Sequence, residues 1–451
     1  MAPAAVEPGF MASWTGVVIF VVAFVLAIVI GEKFKKNSGM IALVFAFIIG
    51  CAFCTLSAKN MILKTFPLDV FYVMFIITFF YGFMHESGFV KGLSDRMIYA
   101  CRNHPALLAP AFLVCAFVMA AMGGDTAAFL VLAPLAFGLA FELGFNPILA
   151  IIAVQGGASL GGYMPWTMLG SMQIGMFEGL FGSHPEGVAA HMGFTLTVAV
   201  NVIILFFATY FITKGHKVSK MPDLKAPEPF NKDQKKSLVL MICVLVCVII
   251  FPLLNLIFKG NKFISGAARF LDVRSVFTIG AVIAMFLKLG DERKVFSQRV
   301  PWSLIFMVAG MMSLIALASQ PEVGTIDFVT GLIKEGLNPT IVVLILFVAA
   351  CLLGAVTAGI TVLSLLLAIV PPLAAASGLP GYVLMACALC GVHGMSIGPY
   401  SSGGAMALSG CPDEHRSSVI RKQYLIMIIQ AVLFLVLVLI GVPKFFAGLF
   451  V

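Results

Sequence analysis

Two stretches of this chain, 234 positions apart, interrupt apolar runs in the same way. Residues 122–170 hold MGGDTAAFLVLAPLAF and then GFNPILAIIAVQGGASLGGYMPWTMLG. Residues 357–404 hold TAGITVLSLLLAIVPPLAAASGLP and then GYVLMACALCGVHGMSIGPYSSGG. Shifted by 234, Gly144 falls on Gly378, Gly157 on Gly391, Pro165 on Pro399 and Gly170 on Gly404. Each copy has a small-residue break, an apolar run, a new helix start and a Gly/Pro/hydroxyl interruption. In hydrocarbon, backbone that leaves the helix survives only where protein buries it or where it lines a cavity. Matched breaks in two halves of a chain point to the binding site of a secondary transporter.

Composition supports a membrane setting. Apolar residues make up 61% of the chain and charged residues 11%, with a mean hydropathy of +1.08. Soluble domains carry about 25% charge, so the pattern predicts an all-α polytopic membrane protein. The net charge of +8 is read as orientation signal, with no nucleic-acid partner. No GxxxxGK[ST] motif couples the chain to ATP, no cofactor is implied, and no HExxH or buried Ser–His–Asp set suggests an enzyme. A channel needs a continuous polar lining, which these spans lack. The CxxC pairs Cys51/Cys54 and Cys387/Cys390 fall inside apolar runs and read as buried thiols. The N-terminus shows no positively charged n-region and no small-residue cleavage site, so the span beginning at Trp14 is expected to be retained.

Ten apolar segments of span length are predicted, with two longer stretches, Ala106–Phe141 and Thr340–Ala376, broken near their middles. Their GGDT and TAG breaks predict re-entrant hairpins. Twenty of the 28 Lys and Arg then fall on one side, which places that side in the cytoplasm and both termini outside. The predicted organisation is an N-terminal span (1–39) and a first repeat (40–180) with hairpin 106–141 and broken helix 147–180. Connecting spans (181–274) with a cytoplasmic loop at 214–236 follow. A second repeat (275–408) has hairpin 340–376 and broken helix 381–408, before a C-terminal span (409–451). The two repeats begin at opposite faces, which is inverted topology. Amphipathic stretches Gly92–His104 and Ile326–Leu337 read as interfacial helices.

Asp125 is the one acid placed in the middle of an apolar run, a costly position and by default a functional one. It can cap the helix that follows or bind a cation. Gly123, Gly124, Asp125, Gly157, Thr357 and Gly359 are the candidate cation residues, hard oxygen donors suited to Na⁺ or a carrier of H⁺. No Lys or Arg falls mid-span, so an anionic substrate must rely on backbone N–H at half-helix N-termini and on hydroxyls. Thr126, Ser159, Thr361, Ser396, Ser401 and Ser402 supply those at the breaks. His393, inside an apolar run, is a candidate donor or titrating group, or a packed interhelical histidine. Tyr163, Trp166 and Tyr400 flank the breaks and suit lining or packing equally.

At these residues the chain resembles the ion-transporter superfamily of divalent-anion/sodium symporters, citrate carriers and arsenite permeases. FPLDVFYVMFIITFFYG (66–82), MGGDTAAFLVLAP (122–134) and GPYSSGGAM (398–406) are similar to the MatC-type dicarboxylate (malonate) carriers, within a likeness over about 40–410. The departures are a Gly-Gly-Asp-Thr and a Thr-Ala-Gly-Ile-Thr tip, where divalent-anion symporters carry Ser-Asn-Thr, and Met-Pro-Trp-Thr and Gly-Pro-Tyr-Ser turns. The resemblance implies a homodimer whose early spans in each half form a scaffold and whose hairpins and broken helices slide elevator-fashion. The expected function is cation-coupled uptake of a small di- or tricarboxylate through a bacterial inner membrane. The alternative is a cation/proton antiporter or arsenite-type permease.

Overall fold

The computed structural model describes residues 14–100, 103–217, 226–258, 261–318, 320, 323, 338–356, 359–399 and 401–451, and every regular element among them is helical. The first half contains α1 (Trp14–Phe34), α2 (Ser38–Ala52), α3 (Ala58–Thr65), α4 (Leu68–Glu86), α5 (Phe89–Ala100), α6 (Leu108–Ala121), α7 (Asp125–Leu143), α8 (Pro147–Gly162) and α9 (Met168–Phe181). Then come α10 (His184–Ile212), α11 (Lys232–Ile257), α12 (Lys262–Phe270) and α13 (Val273–Phe286). The second half continues with α14 (Trp302–Ala318), α15 (Pro339–Val356), α16 (Gly359–Ser377), α17 (Gly381–Gly394), α18 (Ser402–Ser409), α19 (Asp413–Leu439) and α20 (Val442–Ala447).

Helix boundaries follow local chemistry. Asn146 caps α8 by accepting from Ile148 N, with Pro147 at the first helical position where its missing N–H is harmless. Asn231 and Gln234 form a reciprocal capping box at the start of α11. Gly144 (φ 71°) and Gly378 (φ 68°) end the second arm of each predicted hairpin in the left-handed region that Gly adopts without Cβ strain. Gly144 and Gly378 therefore lie where the backbone turns. Hairpin 106–141 is α6 and α7, and broken helix 147–180 is α8 and α9; 340–376 is α15 and α16, and 381–408 is α17 and α18. The tip residues Thr357 and Ala358, the turn residue Tyr400, and the amphipathic stretch 326–337 lie outside the described residues. The stretch 92–104 corresponds to α5, which begins three residues earlier.

The 234-residue offset extends to contacts. A Cβ on Gly157 of α8 would lie 2.2 Å from Leu113 O and 2.8 Å from Ala116 Cβ of α6. A Cβ on Gly391 of α17 would lie 2.5 Å from Phe347 O and 3.0 Å from Ala350 Cβ of α15. Leu113 and Ala116 shifted by 234 are Phe347 and Ala350, so each hairpin arm seats on its broken helix through the same glycine.

Span lengths differ from the sequence expectation. Among the described residues five helices are long and apolar enough to cross a membrane, or six if a pair bent by 52° between Arg299 and Trp302 counts as one. Several of the shorter apolar helices are the predicted hairpin arms and broken-helix halves, which stop at their breaks: α17 ends at Gly394 and α8 at Gly162. The outward faces of α1, α11, α15 and α19 are apolar, with Val25, Ile242, Ile345 and Val432 exposed. That is the surface lipid requires.

Helix α4 is central. Phe80, Tyr81 and Phe83 are fully buried against α9, α13 and α14. Ion pairs bracket it. At its start Arg274 Nη2 reaches Asp69 Oδ2 at 2.5 Å while Nη1 reaches Asp272 Oδ1 at 3.1 Å. At its end Glu86 accepts from Arg299 and Lys294. Nearby, α2 crosses α14 so closely that a Cβ on Gly310 would sit 1.8 Å from Gly39 O.

Candidate substrate and ion site

The first tip turns at Met122–Gly124 through Gly123, with φ 74°. Its amides are taken within the turn: Gly123 N donates to Ala120 O and Gly124 N to Met119 O. Its carbonyls are held from two sides. Trp166 Nε1 of the first broken helix donates to Ala121 O at 2.9 Å, and Tyr81 OH of α4 approaches the same oxygen at 3.4 Å. His85 Nε2 lies 3.4 Å from Gly123 O. A cavity of about 350 Å³ opens here, where Gly123, Gly124, Gly162 and Thr167 face Thr78, Tyr81 and His85 of α4, with Gln298, Arg299 and Pro301 at its side. That volume is within the roughly 300–1,000 Å³ of small-molecule sites.

The two interrupted helices are built alike. Thr167 caps α9, accepting from Gly170 N at 3.3 Å and donating toward Met164 O at 2.8 Å and Gly162 O at 2.5 Å. Ser401 caps α18, accepting from Gly404 N at 3.0 Å and donating toward Gly398 O at 2.8 Å and Ser396 O. Every partner is displaced by 234. In both, the third helical glycine lets the turn fold back: a Cβ on Gly170 would lie 2.1 Å from Met164 O, and one on Gly404 would lie 2.0 Å from Gly398 O.

Buried side chains hold the carbonyls that these breaks release, as buried polar groups require. Gln430 Nε2 donates to His393 O at 2.8 Å and to Ser396 Oγ at 3.2 Å. Gln423 Nε2 donates to Ile397 O at 2.8 Å and to Gly404 O at 3.1 Å. Gln155 reaches across from α8, its Nε2 3.3 Å from Ser396 O and 3.2 Å from Ser159 Oγ, while its Oε1 is buried without a hydrogen-bond partner. At the first break His191 does the corresponding work, with Nε2 2.9 Å from Tyr163 O and Nδ1 2.9 Å from Gln173 Oε1. Tyr163 OH, 3.5 Å from His393 Nδ1, joins the two breaks.

Of the residues expected from sequence, Ser159 and Ser396 meet at Gln155, which packs against Gly403 in the first turn of α18; Ser401 caps that helix and Ser402, its first residue, is exposed. Gly123 and Gly124 line the cavity. Helix α7 starts at Asp125 with Gly124 as its cap residue; the side chains of Asp125 and Thr126 lie outside the described set. Gly157 sits inside α8 against α6 rather than at the cavity. Gly359 opens α16, near Val392. Thr361 lines a separate gap of about 10 Å³ with Ser364, Ile28, Ser38 and Met307, away from the first tip. His393 is packed among the rings of Tyr163, Phe194 and Phe434, which fits its structural reading.

Sequence reasoning missed Gln155, Gln173, His191, Gln423, Gln430 and Arg299. Gln423 and Gln430 left a trace, since seven residues is two helical turns and puts two amides on one face of an apolar helix.

This interrupted-helix geometry accompanies a family likeness. Residues 15–162 match the family model "Dicarboxylate carrier protein MatC N-terminus". The MatC match runs from α1 to the end of α8 and so includes α4, the first hairpin and the first half of the broken helix. The fold is similar to that of the YdaH transporter of Alcanivorax borkumensis, at 14% identity and a TM-score of 0.54, over 94% of this chain and 98% of that one. No protein with a curated description matches the sequence significantly. Both likenesses are to transport proteins, and the chain is a multi-pass membrane protein whose fold is similar to that of YdaH.

Proposed function

We propose that the chain is a secondary carrier that couples a cation, Na⁺ or H⁺, to uptake of a small di- or tricarboxylate across a bacterial inner membrane. The carrying observation is the pair of interruptions with the same cap, turn and glycine geometry 234 residues apart, linked by Gln155 and by Tyr163–His393. Unwound backbone at matched depth offers carbonyls to a cation and half-helix N-termini to an anion. The MatC match supports a dicarboxylate as cargo.

In this reading the repeats are inverted, α2, α4, α13 and α14 belong to a scaffold, and α6–α9 with α15–α18 form the moving body. The homodimer and the outward-facing termini expected from sequence belong to the same reading. The cavity between α4 and the first tip is open beside Arg299 and Gln298, in a segment the positive-inside pattern assigns to the cytoplasm, so this conformation is inward-facing. Gly123, Gly124 and Thr167 contact substrate from the moving body. Asp125, at the first position of α7, binds the cation, whose charge offsets the repulsion between this carboxylate and the anionic substrate.

Uptake of radiolabelled malonate, succinate and citrate into proteoliposomes, under separately imposed Na⁺ and H⁺ gradients, tests the reading. Gradient-dependent accumulation of at least one is expected. Failure of all three under both gradients overturns it.

A further inference from the structure

The segment after α13 is fitted onto the end of α4 with unusual closeness. Residues Glu292–Lys294 make one helical turn and Val295–Arg299 a π-turn, and the chain bends by 52° into α14. Two glycines admit it: a Cβ on Gly82 would lie 2.5 Å from Val295 Cγ1 and 3.0 Å from Arg299 Cβ, and one on Gly290 would lie 2.7 Å from Glu86 Cβ. Such π-turns recur at functional sites.

One acid pairs with two cations here. Glu86 Oε1 accepts from Arg299 Nε at 2.8 Å and Nη2 at 2.5 Å, while Oε2 accepts from Lys294 Nζ at 2.6 Å. One carboxylate, its side chain 10% exposed, serves two cations, so the hydrogen-bonded trio carries one positive charge, with Asp291 and Glu292 in the adjoining turn. Arg299 lines that cavity, with its side chain 43% exposed. A guanidinium carries five N–H donors in a planar fork. Glu86 occupies the Nε/Nη2 edge, and the Nη1 donors have no hydrogen-bond partner among the described residues. Across the cavity are Gly123, Gly124 and Thr167.

We propose that Arg299 receives one carboxylate of a two-carboxylate substrate at the cavity mouth, in competition with Glu86. This rests on the carboxylate-carrier reading and adds the residue that selects for a second carboxylate. The first carboxylate sits at the start of α9, where Met168 and Leu169 line the cavity and the first-turn amides face an anion, and a monocarboxylate would also bind there. The second lies on the Arg299 fork, where bidentate pairing is geometrically selective. Glu86 keeps the fork oriented and partly neutralised while the site is empty. Arg299 lies on the scaffold side and the tip on the moving side, so only a molecule with charge at both ends bridges them.

The test uses the purified full chain in detergent. Intrinsic fluorescence, from Trp166 at the first tip and Trp302 beside Arg299 among others, is titrated with malonate, succinate, acetate and sulfate. Arg299→Gln should raise the half-saturating malonate concentration at least tenfold and leave acetate within twofold, while Arg299→Lys recovers only part of the loss. Glu86→Gln should lower the malonate value several-fold, because it removes the competing carboxylate.

If malonate and acetate weaken together in Arg299→Gln, or Glu86→Gln weakens malonate as Arg299→Gln does, the cluster is a structural staple and the proposal falls. Thermal unfolding midpoints measured alongside identify that case. Arg299-dependent binding of sulfate with no carboxylate bound would keep an anion site and overturn the carboxylate reading instead. No binding of any of the four anions overturns the proposal.

Discussion

Gly123 shows how a single residue sets the site's geometry. Its φ of 74° and the Tyr81 Cδ2 atom 2.1 Å from where a Cβ would be leave no room for any other side chain. Gly123→Ala should displace the tip from α4, reducing uptake at least tenfold with the chain still inserted; uptake per milligram of reconstituted protein measures it. Gly138, in the same hairpin, has nothing within 4 Å of a Cβ. Gly138→Ala should leave uptake unchanged and raise stability by up to about 1 kcal/mol, the helix-propensity difference.

For Asp125 the expected effect is on coupling. Asp125→Asn should abolish dependence on the cation gradient while purified yield holds, and normal gradient dependence in the mutant would remove Asp125 from the mechanism. Ser159, Ser396 and Ser401 were legible because hydroxyls cluster beside Gly and Pro, which mark local turns. Gln155 was not: one amide in an apolar helix is unremarkable until Ser396, 241 positions away, is known to face it. Arg299 was counted only as an orientation charge, since nothing in the sequence brings a loop cation to the first hairpin.

At the scale of elements, a broken helix must replace the hydrogen bonds it gives up. The hydroxyl at each cap does part of this, and glutamines or a histidine from neighbouring helices do the rest. Gln430 donates to His393 O alongside Ser396 N and also to Ser396 Oγ, so Gln430→Leu removes two hydrogen bonds while the carbonyl keeps its backbone donor, at about 1 kcal/mol each. Thermal unfolding of the purified protein should show the loss, with Gln423→Leu at least as large because it takes the side-chain donor from Ile397 O, outside any helix, as well as from Gly404 O. A midpoint unchanged in both would mean that water satisfies these carbonyls.

The breaks themselves were readable because Gly144, Gly378 and the Pro–hydroxyl turns are local signals. Span count was not, since hydropathy alone cannot tell a crossing helix from a hairpin arm such as α6, which is 14 residues long.

On the scale of the whole molecule, the proposed motion separates two bodies, and distance measurement resolves it. In a cysteine-free background, spin labels at Gly179 of α9 and Ile279 of α13 occupy exposed sites on the moving body and the scaffold. Their separation should shift by several ångströms between substrate-free and substrate-plus-cation states, while two labels within the scaffold keep theirs. One fixed separation under every ligand condition would leave gating at the tips as the better account.

The ion pairs at both ends of α4 carry one more consequence. Exposed ion pairs are screened by dissolved electrolyte, with a Debye length near 10 Å at 0.1 M, and apolar packing is not. Raising ionic strength with an inert salt therefore loosens the grip on this helix at its Asp69–Arg274 end more than at its Glu86 end, whose carboxylate is 10% exposed, without weakening its buried middle. The organism's osmotic surroundings would then tune the stiffness of the frame against which the cargo moves, independently of how tightly that cargo is held.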